Sequence, residues 1–280
     1  MTTIEKRLLV NRIVLGLSSF SAIVGLGFLF WILYVLVANG INALNWNIFL
    51  FEGAPPGYAE SGLKQALIGQ FLIVGVATLI GVPLGLLAGT YLSEYGQKSK
   101  IAEIIRDISD IMMSAPSIVI GSFIYAVIVM PMGHFSGWAG VAALAIIMLP
   151  IILRTTDDML QLVPSTLREA AFALGAPKYK VIMQVVYRGA KAGVLTGILL
   201  GIARVGGETA PLLFTSFNDN FTNYNLNEPM ASLTVTMYNY ATSPYEDWQA
   251  MGWAAAFILS MFILGLNILG RLILLKKKGR

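Results

Sequence analysis

Long apolar runs, separated by short polar and charged segments, repeat along this chain. Crossing ~30 Å of hydrocarbon takes about 20 residues at ~1.5 Å of helical rise each. Runs of that length without exposed charge fall over Ile13–Ala38, Ala66–Leu92, Ile111–Met130, Trp138–Leu153, Val194–Phe217 and Ala250–Leu275. The pattern predicts an all-α membrane protein with six transmembrane helices. Lys6, Arg7 and Arg12 precede the first run, as in a secretory leader. Its apolar stretch is too long for one and no A-x-A site follows, so it reads as an uncleaved helix. Glycines recur every fourth residue at Gly81, Gly85 and Gly89 and again at Gly193, Gly197 and Gly201. Such stripes let helix backbones approach closely, which predicts central packing for spans two and five and says nothing about function.

Charge orients these helices. When the intervening segments alternate between two sides, all but Lys64 and Arg204 of the 19 Lys and Arg residues share one side. That side holds Lys6, Arg7, Arg12, Lys98, Lys100, Arg106, Arg154, Arg168, Lys178, Lys180, Arg188, Lys191, Arg271, Lys276, Lys277, Lys278 and Arg280. By the positive-inside rule it is cytoplasmic, so both termini are expected there and the number of spans must be even. The 280 residues are 56% hydrophobic and 12% charged, well outside the range of soluble domains. The net charge of +4 is explained by this sidedness rather than by a nucleic-acid partner. No cysteine is present and His134 stands alone, so no metal site is expected. Neither H-E-x-x-H nor G-x-S-x-G occurs, which disfavours a membrane enzyme, and without G-x-x-x-x-G-K-[ST] the chain cannot cradle a nucleotide.

The segment from Arg154 to Ala192 is too polar to cross a membrane and too rich in helix formers for a slack linker. Pro164 and Ser165, followed by Arg168, Glu169, Ala170 and Ala171, read as a helix start; Gly175-Ala176-Pro177 reads as its stop and turn. A second helix is predicted from Lys178 to about Gly189. The two would form either a compact knob for a partner on the basic side or an interfacial helix lying on lipid.

Arg204 and Glu208 are the ionisable residues well inside a predicted span. With a boundary near Gly193, Arg204 lies about 11 residues or ~17 Å in, close to the midplane. A lone charge there is costly, so these side chains must face protein, water or each other, and a spacing of four puts them on one helix face. They could simply neutralise each other and lock the bundle. Alternatively, arginine offers planar bidentate donors suited to an oxyanion. Gly206, Gly207 and Pro211 predict a kink there, and broken helices are a recurrent way to build sites in membranes. Loop five, roughly Thr215 to Gln249, carries Asp219, Glu228, Glu246 and Asp247 and no basic residue. That loop is either a solvated consequence of the charge bias or a surface that repels free anions and suits a docked carrier.

Glu169-Ala170-Ala171 followed by Gly175 resembles the EAA loop of ABC importer permeases, whose first helix inserts into a cleft of the ATPase subunit. The resemblance implies docking through Arg168, Glu169, Ala170, Ala171, Leu174, Gly175 and Ala176. The family's later Ile-x-Leu-Pro positions fall on Val185, Tyr187 and Arg188, where the motif departs. The stretch from Gly201 to Thr215 is similar to the signature of the permease subunits of bacterial phosphate ABC importers. Gly81–Gly85, Ala115–Gly121 and Leu149–Thr156 support it, so the resemblance runs from about residue 62 to the C-terminus.

It implies a type I ABC importer permease fold, with an N-terminal helix and external loop over 1–65, a transporter domain over 66–280 and a cytoplasmic coupling-helix loop at about 154–192. The charge pair and its kink make Arg204 and Glu208, with Thr209 beside them, the residues expected to line the anion pathway. The partners would be a PstC-like permease in a heterodimer, two PstB-like ATPases and an external PstS-like phosphate-binding protein. ATP with Mg would sit on those ATPases, no cofactor on this chain, and the location would be the cytoplasmic (inner) membrane of a prokaryote. Sulfate, molybdate or tungstate stays open as cargo, and so does a passive anion channel.

Overall fold

The structure, a computed structural model, describes residues 3–58, 60–96 and 99–276. Of the charged positions above, Lys98, Lys277, Lys278 and Arg280 lie outside the described residues. The described chain is helical, and no strand occurs in it. Its helices are α1 (Thr3–Ala43), α2 (Asn47–Leu50), α3 (Lys64–Glu94), α4 (Lys100–Ser114), α5 (Ser117–Met132) and α6 (Gly137–Gln161). There follow α7 (Ser165–Ala173), α8 (Lys178–Gly206), α9 (Ala210–Leu213), α10 (Leu233–Ala241) and α11 (Glu246–Lys276).

Five of these, α1, α3, α6, α8 and α11, are each long and apolar enough to cross a bilayer. A sixth crossing requires α4 and α5, which meet at an angle of 102°. The run expected over Ile111–Met130 therefore straddles two elements. Pro116 lacks the amide N–H a helix needs and keeps Ala115 extended (φ −67°, ψ 137°), so α4 ends at Ser114 and α5 begins at Ser117. α4 is amphipathic: Ile101, Ile104, Ile108 and Ile111 are exposed along one stripe, while Ala102 and Ser109 are buried. Arg106 anchors it, its Nε 2.7 Å from Oδ2 of the fully buried Asp157 on α6 and its Nη2 3.0 Å from the Leu92 carbonyl.

The fifth crossing is also displaced from Val194–Phe217. α8 begins at Lys178 and stops at Gly206, with a π-type turn over Ile182–Val186 joining what were expected to be two separate helices. Nothing between Lys178 and Ala192 breaks the helix, so the polar start of this element is simply its end beyond the apolar zone. Arg204 consequently lies in the last turn of its helix.

Both glycine stripes close on the same neighbour. Gly81 and Gly85 of α3 face Met148 and Ile152 of α6, and Gly89 faces Thr156. Gly197 and Gly201 of α8 meet Thr155 and Ile152 of that helix from its other side. The central helix is thus α6, gripped by the two predicted stripes. A core of Ile73, Leu144, Met148, Ile152, Val205, Leu212 and Val235 fills the junction. α1 stands apart: its residues are almost all exposed on this chain, and only its C-terminal end seats on α11, where Gly40 lies against Phe257.

Candidate functional site

At the basic end of the bundle, α7 starts after Pro164 and closes on Gly175, whose φ of +78° favours glycine. Gly175 N donates to Phe172 O at 2.9 Å and Ala176 N to Ala171 O at 3.1 Å, the paired bonds of a Schellman stop. The predicted start, stop and turn all stand. Glu169, Ala170 and Leu174 are exposed, Leu174 at 89%, whereas Ala171 and Ala176 pack inward.

Arg168 turns inward as well. Its Nη2 donates to Glu94 Oε1 at 2.7 Å and to Leu160 O at 2.8 Å, its Nε to Glu94 Oε2 at 3.3 Å, and its Nη1 to Val163 O. Lys178 donates to the Glu94 carbonyl at 2.8 Å and lies 3.7 Å from the Tyr95 ring centroid, a cation–π contact. The exposed segment is thereby clamped to the end of α3. Nothing in the spacing of the motif announced Glu94, because its partner lies 74 positions away.

At the opposite end, α8 ends at Gly206, Gly207 caps it, and the chain resumes as α9 with Pro211 in its first turn, where a missing N–H leaves no gap. Arg204 and Glu208 straddle this break with Nε and Oε1 3.9 Å apart, and Thr209 is half-buried just beyond them. The Arg204 side chain is 42% exposed and that of Glu208 16%. The Arg204 guanidinium therefore lies on an open face of the isolated chain, while the Glu208 carboxylate is largely covered. An apolar cavity of about 570 Å³ between α3, α8 and α11 reaches Gly206 but is not lined by either charge.

A break in a helix among apolar neighbours frees carbonyls that need partners. Two residues unremarked in the sequence supply them. Gln70 of α3, only 7% exposed, donates Nε2 to Gly206 O at 2.9 Å and accepts the Leu233 N–H at 3.0 Å. Thr234 of α10, fully buried, donates its hydroxyl to Glu208 O at 2.9 Å. A lone glutamine in the apolar run of α3 was the available signal; α10 had none beyond Ser232, which caps it by accepting from Val235 N at 3.3 Å. Loop five is thus not loop throughout, since residues 230–236 return to the bundle core.

His134 is exposed, its Nδ1 3.0 Å from the Phe135 carbonyl. Among the described residues no cluster of acidic or imidazole groups could hold a metal. Glu52 ties the segment between α2 and α3 to loop five. Thr222, whose hydroxyl faces that carboxylate and whose N–H donates to Oε1 at 2.8 Å, holds its pKa below the ordinary value.

Known proteins share this architecture. The model of the family described as binding-protein-dependent transport system inner membrane component matches residues 81–278. The chain is similar to the phosphate transport system permease protein PstA of Haemophilus influenzae, with 53% identity over 268 residues that cover 96% of this chain and 95% of that one. It is 50% identical to the protein of the same description from Pasteurella multocida, over 95% of both chains. It is 37% identical to a probable PstA of Methanocaldococcus jannaschii, over 75% of both. Among solved structures, a chain of the inward-facing MetNI methionine ABC transporter superposes with a TM-score of 0.59 at 19% identity, covering 76% of this chain and 92% of that one. At that identity the likeness is one of fold.

Proposed function

Because the chain belongs to the binding-protein-dependent transport system inner membrane component family, we infer that it is the permease subunit through which an ATP-driven importer moves inorganic phosphate. The observation that carries this reading is identity of about half to relatives described as phosphate permeases, sustained over nearly the whole of both chains. As a permease the chain is not itself a catalyst. ATP, with Mg, is hydrolysed on two PstB-like subunits that grip the α7 segment through Glu169, Ala170 and Leu174. The basic end is cytoplasmic and carries both termini. The N-terminal helix and loop over 1–65 form one part of the molecule and residues 66–280 the transporter domain.

Phosphate enters from a PstS-like carrier at the acidic end. Arg204 takes two of its oxygens in a planar bidentate contact, and Glu208 accepts a hydrogen bond from a protonated oxygen. Between transport events the carboxylate, 3.9 Å away, keeps the guanidinium from standing unpaired. The Arg204 side chain lies on an open face, which supports a heterodimer in which a PstC-like permease closes the other side of the pathway. ATP-driven movement of the docked α7 then reorients the spans from outward to inward access. Phosphate uptake by cells carrying Arg204→Lys or Glu208→Gln at equal membrane abundance tests the assignment. Loss of uptake with intact subunit assembly is expected; undiminished uptake in both variants refutes a role for the pair.

A further inference from the structure

We propose that Gln70 and Thr234 are positioning residues for the Arg204–Glu208 pair, and that Gln70 makes the placement of that pair follow movements of α3. The inference rests on the pathway reading above and deepens it. The residues flanking the helix break have their carbonyls held from outside their own segment. Gly206 O, two positions after Arg204, receives the Gln70 amide at 2.9 Å, and Glu208 O itself receives the Thr234 hydroxyl at 2.9 Å. Gln70 has its other amide atom occupied by Leu233 N at 3.0 Å, so one side chain ties α8 and the start of α10 to α3.

Both Gln70 contacts are buried and the Thr234 contact is partly so, and a buried carbonyl or amide left without a partner cannot turn to water. The register of the break, and with it the direction of the two charged side chains, is therefore set by residues that touch no substrate.

The same helix is held at its other end. Glu94, the last residue of α3, receives Arg168 of the α7 segment, and the next residue, Tyr95, lies under the Lys178 ammonium. The glycine stripe of α3 lies directly on α6 on both sides of Pro83, so the two helices are closely packed over the length between these ends. A displacement of α7 that pulls Glu94 would reach the Gly206 break through Gln70. This gives the pair one position when the docking segment is seated and another when it shifts.

The test uses the complete importer in proteoliposomes, with Gln70→Leu, Thr234→Val and, in parallel, Arg204→Lys. The readout is phosphate moved per ATP hydrolysed by assembled complex. A merely structural role would lower the amount assembled but leave that ratio alone. Each positioning variant is expected to lower the ratio by about fivefold or more, the factor corresponding to one buried hydrogen bond, and to lose most of that effect when combined with Arg204→Lys. A normal ratio in Gln70→Leu and Thr234→Val alongside an impaired Arg204→Lys overturns the positioning role alone. A normal ratio in Arg204→Lys overturns the pathway reading and this inference with it. If Gln70→Leu does not assemble, Thr234→Val, which removes one hydroxyl at constant shape, decides the question.

Discussion

Removing the Glu94 carboxylate should release the α7 segment. In the native chain Arg168 satisfies both Glu94 oxygens and two carbonyls, with side-chain exposures of 15% and 6% for the pair. Truncation to alanine leaves a guanidinium largely cut off from water with half its partners gone. Breaking a buried ion pair from one side costs about 3 kcal/mol at the low end, and roughly a hundredfold shift toward the released segment results. Arg168→Met should be worse, because it orphans Glu94 and also the Leu160 and Val163 carbonyls. Glu94→Gln should be mildest, since an amide oxygen still accepts. Hydrogen exchange over residues 164–176 of the purified protein reads this directly: faster exchange is expected in the order Arg168→Met, Glu94→Ala, Glu94→Gln, wild type. Unchanged exchange in Glu94→Ala would refute the clamp.

Three further outcomes rest on single contacts. A Cβ on Gly85 would fall 2.8 Å from Ile152, so Gly85→Leu should destabilise the bundle by about 1–3 kcal/mol in detergent unfolding, while Gly75→Ala, with open space around it, should not. Gly175 holds φ +78°, so Gly175→Ala should cost about 1 kcal/mol and loosen the end of α7 in the same exchange experiment. The lowered pKa of Glu52 means that its hold on Thr222 is complete above the ordinary carboxylate value of about 4.3 and is lost as pH falls through the lower folded value. Proteolysis of the 218–229 segment should therefore accelerate on acidification in wild type and be nearly independent of pH in Glu52→Gln.

The helical membrane fold and the turn at Gly175 were legible because each is a local property: run length, and a glycine where φ is positive. The ends of spans three and five were not. Hydropathy merges Ile111 to Ser114 with the apolar run beyond Pro116, and only the proline rule at Ala115-Pro116 separates the amphipathic α4 from α5. Likewise a polar helical start at Lys178 looks like a separate element until its backbone is seen to run on through a π turn. The glycine stripes named the tightly packed faces but not what they face, so α6, with no stripe of its own, escaped as the centre. Arg204 and Glu208 were legible as charges in an apolar run. Gln70, Thr234 and Glu94 were not, because their importance lies in partners far away in sequence.

The central claim is that this chain carries phosphate across a membrane under the drive of ATP bound elsewhere. Proteoliposomes containing the chain with its partner permease, ATPases and external binding protein, loaded with ATP and Mg, test it through uptake of radiolabelled phosphate in the presence of excess sulfate or molybdate. The account predicts saturable uptake that requires internal ATP and is indifferent to the competing anions. Phosphate flux of equal size without ATP, or uptake abolished by sulfate or molybdate, would contradict it.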